Sequence, residues 1–243
     1  MIFEGIELNP LKIPKHIAII MDGNKRWAEK NSSSVLLGHS KGLERVIEVL
    51  EGCEEIGISV LTLFAFSREN WKRPSSEVKD LLQLFKYFFE REFETLKKRD
   101  VRILHSGIID DFDQDIQQII KTMTSETKDN KRSTLNLAIN YSGRLEIIEG
   151  FKKLIKDVNE NNKEIKELTE GDFNQYLFQP SLPEPDLLIR TSGEIRISNF
   201  LLWQIVYTEL YFTERLWPDF TIKDLAIAIS EYQKRERRFG GRQ

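Results

Sequence analysis

The sequence has almost no cysteine, since Cys53 is the single thiol among 243 residues. No intrachain disulfide can form, so the chain does not resemble a disulfide-stabilised secreted domain, and we expect a reducing compartment. Cys53 lies within a helical pattern and is expected to be a small core residue. No apolar run reaches membrane-spanning length, and the N-terminus lacks the features of a signal peptide. We therefore expect a cytoplasmic protein, with peripheral contact to a membrane left open.

The chain also lacks a strong net charge. Its 36 basic and 39 acidic residues give a formal net charge of −3, so no overall field draws it to nucleic acid or to an anionic membrane. Hydrophobic residues make up 40% and charged residues 31%, which is typical of a globular protein. Because repeats, low-complexity linkers and breaks in composition are absent, we expect residues 1–243 to form one domain.

Short apolar runs alternate with helical patterns along the chain. The strand-like runs cover residues 17–21, 60–66, 101–105, 135–140, 187–190 and 205–211. Apolar residues recur at helical spacing within residues 43–50, 78–89, 147–155 and about 222–237. This alternation predicts an α/β fold with a mostly parallel central sheet flanked by helices. The polar segment 159–170 predicts a surface loop or a short helix.

The stretch Met-Asp-Gly-Asn-Lys-Arg-Trp-Ala at residues 21–28 directly follows the first apolar run. A buried strand that ends in Asp-Gly-Asn stops at a sharp turn, and ligands of α/β sheets bind at the carboxyl ends of strands. A helix beginning near Asn24 would offer its N-terminus to an anion. A divalent cation that bridges Asp22 to a phosphate would explain a carboxylate there. The alternative is a plain turn with a helix cap.

Two further polar clusters also follow strand-like runs. Residues 67–74, Ser-Arg-Glu-Asn-Trp-Lys-Arg-Pro, combine short hydrogen-bonding side chains with a planar cation suited to phosphate oxygens. Arg190, Arg196 and Ser198 surround a glycine and suggest an oxyanion clamp in which Glu194 or a bound anion offsets the two guanidiniums. A charged surface loop and a salt-bridged turn are the respective alternatives. Glu209 stands in an apolar run, where a carboxylate is costly unless it is paired or metal-bound.

Together these clusters resemble the cis-prenyltransferase family. The resemblance covers nearly the whole chain and is carried by residues 16–24, 38–39, 61–74, 138–141, 186–203, 209–220 and 237–241. It implies a transferase that adds isopentenyl diphosphate units to an allylic diphosphate such as farnesyl diphosphate. The new double bonds would be Z, and the expected product is undecaprenyl diphosphate, the lipid carrier of cell-wall and surface-glycan synthesis. The resemblance also implies a Mg²⁺ requirement, a homodimer, a hydrophobic tunnel and delivery of the product to the membrane.

The resemblance assigns roles to individual residues. Asp22, helped by Glu209, would position Mg²⁺, and Asn70 matches the position assigned to proton removal. An amide is a poor base, so we expect Asn70 to orient a phosphate oxygen or a water that takes the proton. The substrate-binding set comprises Gly23, Asn24, Lys25, Arg26, Trp27, His39, Ser67, Arg68, Glu69, Trp71, Arg73, Arg190, Arg196, Ile197 and Ser198. A structural role for His39 is the alternative to a ligand role.

Apolar surface must hold the growing chain. Phe85, Phe88 and Phe89 share a helix face, and Leu135, Leu137 and Ile139 alternate along a strand, so these six side chains are candidates for the tunnel wall. Plain core packing explains the same periodicity, so the sequence does not specify the product length.

Two positions depart from the family pattern. Lys25 stands where the family usually has Gly, and Val35 where it usually has an Arg that touches the allylic diphosphate. A lysine at a helix start opposes the helix dipole unless an anion is bound. Our hypothesis is that Lys25 partly restores the lost positive charge, and the alternative is tolerated drift.

The C-terminus of the chain is basic. Arg238-Phe239-Gly240 matches a family motif that reaches across the dimer, whereas the acidic balance of the chain argues against a nucleic-acid tail.

Other functions remain as alternatives to an active enzyme that makes undecaprenyl diphosphate. A non-catalytic partner subunit would be expected to lack Asp22. A hydrolase would need a nucleophile or a positioned water, and no Ser or Cys elbow motif is visible. An enzyme that makes a shorter product is the closest alternative.

Overall fold

A six-stranded parallel sheet forms the centre of the computed structural model, which describes residues 1–161 and 165–236. The chain opens with an antiparallel hairpin of β1 (Ile2–Phe3) and β2 (Ile6–Glu7). The sheet contains β3 (His16–Ile20), β4 (Val60–Ser67), β5 (Val101–Ser106), β6 (Ser133–Tyr141), β7 (Leu187–Arg190) and β8 (Glu209–Phe212). Its order is β5-β6-β4-β3-β7-β8, and all neighbouring pairs are parallel. The predicted α/β fold with a parallel sheet is confirmed.

Helices connect the strands and cover both faces of the sheet. They are α1 (Asn24–Lys30), α2 (Val35–Ile56), α3 (Ser75–Lys98), α4 (Gln114–Glu126), α5 (Gly143–Asn161), α6 (Glu170–Asn174) and α7 (Ile222–Gln233). Short 3₁₀ helices lie at Pro10–Lys12, Arg68–Lys72, Ile165–Glu167 and Trp217–Asp219. The four predicted helices are present, while α4, with only a few apolar residues in a polar segment, was not predicted.

The predicted strand at residues 205–211 is wrong in its first half. Residues 205–208 lie in a turn region, where the Thr208 N–H donates to the Ile205 carbonyl at 3.1 Å, and β8 begins only at Glu209. A short apolar run does not by itself specify a strand, and here Val206 and Tyr207 are 67% and 55% exposed rather than packed in the core.

The core is built on both faces of the central strand β3, whose five residues are all buried. Successive residues point to opposite faces, so Ile17 and Ile19 join one apolar cluster and Ala18 and Ile20 join the other. Cys53 on α2 is 1% exposed, and burial raises the pKa of its thiol. The prediction of a buried core cysteine is confirmed.

The last helix is shorter than predicted. Helix α7 ends at Gln233, short of the predicted residue 237. Residues 237–243, which contain the basic motif at Arg238-Phe239-Gly240, lie outside the described residues. In the described part of the chain, no helix has the length and apolarity that a bilayer crossing requires.

Candidate active site

A cavity of about 600 Å³ opens where β3, β4, β6 and β7 end. One part of its wall is polar and is lined by Asp22, Asn24, His39, Ser67, Glu69, Asn70, Arg73, Arg190, Ser198 and Asn199. The other part is apolar and is lined mainly by Leu43, Phe64, Phe66, Leu81, Leu82, Leu84, Phe85 and Ile139. All three clusters predicted from the sequence therefore contribute to one cavity at the carboxyl edge of the sheet.

The turn after β3 fixes the position of Asp22. Its N–H donates to Thr191 Oγ1 at 2.9 Å, and its carbonyl accepts from the same hydroxyl at 2.7 Å. Gly23 has φ of 109°, and a Cβ at this position would come within 3.0 Å of Ser192 Cβ and Leu216 Cδ2. Only glycine satisfies both the left-handed conformation and this close approach. The turn thus directs the Asp22 carboxylate into the cavity with little freedom.

Arg190 is the buried cation of the site, with 4% of its surface exposed. Its Nη2 lies 2.8 Å from Asp22 Oδ2, and its Nη1 donates to Ser198 Oγ at 2.7 Å and to the Arg196 carbonyl. Its Nε is buried without a hydrogen-bond partner in the described chain. A guanidinium that lines the cavity is suited to a phosphate oxygen.

The second half of the predicted clamp is more open. The Arg196 side chain is 58% exposed and pairs with Glu194 rather than turning toward Arg190. Glu194 also lies 3.2 Å from Arg26 Nη2, and Arg26 Nη1 donates to the Ser192 carbonyl at 2.8 Å. Glu194 therefore lies between the guanidiniums of Arg26 and Arg196, whereas the sequence predicted it between Arg190 and Arg196.

Helices α1 and α2 contribute two buried polar atoms that lack partners in the described chain, Asn24 Oδ1 and His39 Nε2. Burial, and then the positive charge of Arg73, lowers the pKa of His39 to about 4. The imidazole is therefore neutral near pH 7 and can donate one hydrogen bond to a ligand. Trp217, which had no predicted role, also lines the cavity and donates its Nε1–H to the Gly42 carbonyl at 2.7 Å.

The loop after β4 forms a 3₁₀ helix with three residues per turn, so side chains three residues apart lie on the same face. One face of the loop points to the cavity and the opposite face points away from it. Ser67, Asn70 and Arg73 are three apart and all line the cavity. Asn70 Oδ1 accepts from the Ser67 N–H at 2.8 Å, which fixes the amide. Arg68 and Trp71 lie on the other side, outside the cavity wall, and line a separate surface cleft. The structure thus places these two predicted substrate-binding residues behind the loop.

Six other predicted substrate-binding residues are absent from the cavity wall: Gly23, Lys25, Arg26, Trp27, Arg196 and Ile197. Trp27 donates its Nε1–H to Asp219 at 2.7 Å and anchors α1, while Lys25 is exposed at the start of that helix. Ile197 belongs to the loop between Arg196 and Ser198 but is absent from the cavity wall. Nothing in their sequence context distinguished these residues from their neighbours that face the cavity.

Glu209, which the resemblance pairs with Asp22 at the metal, lies apart from Asp22 within this chain. In the parallel pairing of β7 with β8, Glu209 lies beside Leu187, three residues before Arg190. At about 3.3 Å per residue this is about 10 Å from the strand end that carries the site. Glu209 instead pairs with Arg235 at 2.9 Å. Within one chain, Glu209 and Asp22 are therefore not neighbours.

The apolar wall partly follows the prediction. Phe85 and Ile139 line the cavity, but Phe88, Phe89, Leu135 and Leu137 lie in the core beneath it. Leu81, Leu82 and Leu84 were not predicted. The helical period had placed Leu81 and Leu82 on the same helix face as Phe85, and that spacing was the available signal.

A cavity that joins anion-binding cations and one carboxylate to an apolar wall defines a class of enzymes acting on phosphorylated, apolar molecules. The family model described as "Putative undecaprenyl diphosphate synthase" matches residues 20–240. The chain belongs to this prenyltransferase family.

Individual relatives agree with the family match. An isoprenyl transferase of Fusobacterium nucleatum is 48% identical over 94% of this chain and 96% of its own length. A ditrans,polycis-undecaprenyl-diphosphate synthase of Buchnera aphidicola, farnesyl-diphosphate specific, is 45% identical over 99% and 98%. The crystal structure of lavandulyl diphosphate synthase from Lavandula x intermedia, in complex with dimethylallyl diphosphate, has a TM-score of 0.91 and 33% identity, covering 95% of this chain and 99% of that one.

Proposed function

We propose that this enzyme condenses isopentenyl diphosphate units onto farnesyl diphosphate in the Z configuration and makes undecaprenyl diphosphate. The observation that carries the proposal is a single cavity whose polar wall, around Asp22 and Arg190, continues into an apolar wall around Phe85. A diphosphate with an isoprenoid tail matches both parts. The farnesyl-diphosphate specificity in the name of the Buchnera relative supports the choice of primer.

The polar wall would stabilise the charge that develops as the allylic diphosphate leaves. Donors arranged in advance at such a position act without reorganisation and so lower the barrier. We assign the allylic diphosphate to Asn24, Arg26, His39 and the first N–H groups of α1, which lack intrahelical partners. We assign the diphosphate of isopentenyl diphosphate to Arg190, Arg196 and Ser198.

Asp22 fits the Mg²⁺ that the family implies. Its side chain is 30% exposed at the cavity wall, and within residues 1–161 and 165–236 no three His, Cys, Asp or Glu side chains form a group that could hold a metal ion by themselves. Mg²⁺ commonly binds through one or two carboxylates and completes its coordination with water and substrate phosphates. When bound, the ion would supply positive charge beside the diphosphates.

Asn70 would act on the proton that the new unit loses. Its Oδ1 already accepts from the Ser67 N–H, so the amide N–H groups are the part available to a ligand. An amide cannot serve as a base near neutral pH, but its N–H can hold a phosphate oxygen or a water in position to accept the proton. Ser67 and Arg73 stand on the same side of the loop and would complete this contact.

The apolar wall would receive the growing chain. Each buried methylene contributes about 0.8 kcal/mol, so every added unit favours an extension of the tunnel along α3. The apolar part of the cavity wall supports this proposal, since it includes Leu81, Leu82, Leu84 and Phe85. The product is a membrane lipid, so we also propose a cytoplasmic enzyme that delivers it at the membrane surface.

The homodimer is proposed from the outer face of α5. Ile148, Phe151 and Ile155 recur at intervals of three and four residues, so they share one face, and they are 52%, 53% and 45% exposed. Val206 and Tyr207, ahead of edge strand β8, are exposed as well. Apolar faces of this kind mark protein interfaces.

The test is product analysis with purified protein, farnesyl diphosphate, labelled isopentenyl diphosphate and Mg²⁺. The proposal predicts a long polyprenyl diphosphate in which each added unit has a Z double bond. A short product would retain the chemistry and contradict the assignment to undecaprenyl diphosphate. Absence of incorporation would contradict the transferase itself.

A further inference from the structure

Asn140, near the end of β6, is a buried polar residue that the mechanism above does not use. It is 0% exposed and has φ of 50°, in the left-handed region that asparagine tolerates better than most residues. Its Oδ1 accepts from Trp71 Nε1 at 2.8 Å, and its Nδ2 donates to the Ile108 carbonyl and to Asp111 Oδ2, each at 2.8 Å. An indole N–H only donates and a carbonyl only accepts, so the orientation of this amide is unambiguous.

The partners of Asn140 belong to the rear of the loop that carries Asn70. Arg68 and Trp71 are three residues apart in the 3₁₀ helix Arg68–Lys72, and side chains at that spacing share one face. Arg68 pairs with Asp111 at 2.7 Å. Arg68, Asp111, Asn140 and Trp71 thus form a closed set of contacts, which we name the rear brace.

Packing makes the rear brace rigid. The Trp71 ring lies 5.5 Å from the Phe66 ring and 5.7 Å from the Phe112 ring. The segment that leads to Asp111 packs closely against the end of β6. This approach is possible because Gly107, with φ of 138°, has no Cβ, which would collide with the Ile139 carbonyl. The loop after β4 is therefore gripped on one face while Ser67, Asn70 and Arg73 face the cavity on the other.

We propose that Asn140 and Asp111 are positioning residues that set the placement of Asn70 through Trp71 and Arg68. This inference rests on the proposed function, since it concerns the condensation step. A displacement of about 1 Å at a reacting group can cost on the order of 100-fold in rate. The rear brace therefore affects turnover, whereas we assign allylic diphosphate binding to α1 and α2, which contribute none of the four residues of the rear brace.

Asn140→Asp is the test substitution, because it keeps the size of the side chain and the acceptor for Trp71. It replaces the amide donor with a carboxylate that faces Asp111 and the Ile108 carbonyl. We expect kcat to fall at least 10-fold, with the affinity for the unreactive thiolo analogue of farnesyl diphosphate changed less than 2-fold. In the double variant Asn140→Asp with Asp111→Asn, the amide at position 111 can donate to the carboxylate at position 140, so the hydrogen bond is restored with its direction reversed. We expect this variant to recover part of the lost kcat.

Asn136→Asp is the matched control. Asn136 is 2% exposed on the same strand and makes comparable hydrogen bonds, with Thr62 and Ser106, away from the loop after β4. We expect its thermal midpoint to fall with kcat within 3-fold of the wild type. A wild-type kcat for Asn140→Asp, a double variant no better than the single one, or an equal loss of kcat in Asn136→Asp would overturn the proposal. An inactive wild-type protein would instead refute the proposed function.

Discussion

At the scale of single residues, Asp22 and Arg190 show how the site is held before any ligand arrives. Thr191 fixes the backbone of Asp22 by two hydrogen bonds, and the buried Arg190 holds its carboxylate at 2.8 Å. Arg190 is buried, while the Asp22 side chain is 30% exposed at the cavity wall. The same contact keeps both groups aimed at the cavity, where a diphosphate would compete for the guanidinium.

Lys25 is the residue that we expect to compensate for the arginine missing at position 35. It is exposed in the first turn of α1 and makes no ion pair with any described residue, while Val35 begins α2. If Lys25 replaces the missing arginine, Lys25→Gly should raise the KM for farnesyl diphosphate about 2- to 5-fold, since a charge near a helix end is worth up to about 1 kcal/mol. Steady-state kinetics at saturating isopentenyl diphosphate measure this.

The control for Lys25 is a restored arginine. Val35→Arg added to Lys25→Gly should return the KM toward the wild-type value, because it supplies the cation that the family usually has. An unchanged KM in Lys25→Gly alone would show that the two departures are tolerated drift.

At the scale of elements, α1 and α2 pack closely because Gly38 and Gly42 lack side chains. A Cβ on Gly42 would overlap with Asn24 Oδ1 and come within 2.9 Å of Trp217 Cδ1. A Cβ on Gly38 would collide with the Asn24 carbonyl. The two glycines therefore set the position of Asn24 in the part of the cavity that we assign to the allylic diphosphate, although we assign neither glycine a contact with the substrate.

Gly42→Ala should reduce stability by roughly 1–3 kcal/mol, as overpacking of a core does, and should raise the KM for farnesyl diphosphate because Asn24 must move. Denaturant unfolding and steady-state kinetics measure the two effects. Gly171→Ala in α6 is the control, since the nearest atom to its Cβ would be Thr169 Oγ1 at 3.6 Å. Equal behaviour of both variants would contradict this account of helix packing.

The turns and loops at the strand ends differ in how far the sequence predicts them. The Asp-Gly-Asn turn and the strand ends were predictable because a strand followed by polar turn residues has few alternatives in an α/β fold. The division of the loop after β4 was not, because sequence order does not show that Arg68–Lys72 forms a 3₁₀ helix. The position of Glu209 depends on the parallel register of β7 and β8, which local sequence does not encode.

At the scale of the whole molecule, the three histidines, His16, His39 and His105, are all held neutral. Burial lowers the pKa of each to about 4. His16 connects two parts of the fold, since its Nδ1 donates to the Pro183 carbonyl at 2.6 Å and its Nε2 accepts from Thr62 Oγ1 at 2.7 Å. Protonation would remove that acceptor.

Stability should therefore fall in mild acid. The folded pKa of His16 lies below the unfolded value of about 6.5, so the unfolded chain binds more protons between these values. The contribution is fully present above about pH 6.5 and is lost as the pH falls toward 4, with roughly 2 kcal/mol lost at pH 5. Urea unfolding at pH 7, 6 and 5 measures it. His16→Asn should be less stable at pH 7 but show a shallower dependence, and an unchanged slope would contradict this cause.

The assembly prediction concerns the exposed face of α5. Phe151→Lys places a charge at the centre of the apolar face around Ile148 and Ile155 and should convert a dimer into a monomer. Light scattering after size exclusion measures the mass. Leu11→Lys, at a side chain 93% exposed near the N-terminus, should leave the mass unchanged. A monomeric wild-type protein, or a dimeric Phe151→Lys variant, would contradict the proposed interface.

The central claim is that the cavity around Asp22 elongates an allylic diphosphate. Incorporation of labelled isopentenyl diphosphate by the wild type and by Asp22→Ala, each with Mg²⁺ and with a chelator, tests it most directly. We predict Mg²⁺-dependent incorporation that falls on the order of 100-fold or more in Asp22→Ala, as loss of a group that stabilises the transition state does. Incorporation that is unchanged in Asp22→Ala, or that persists with the chelator, would contradict the account.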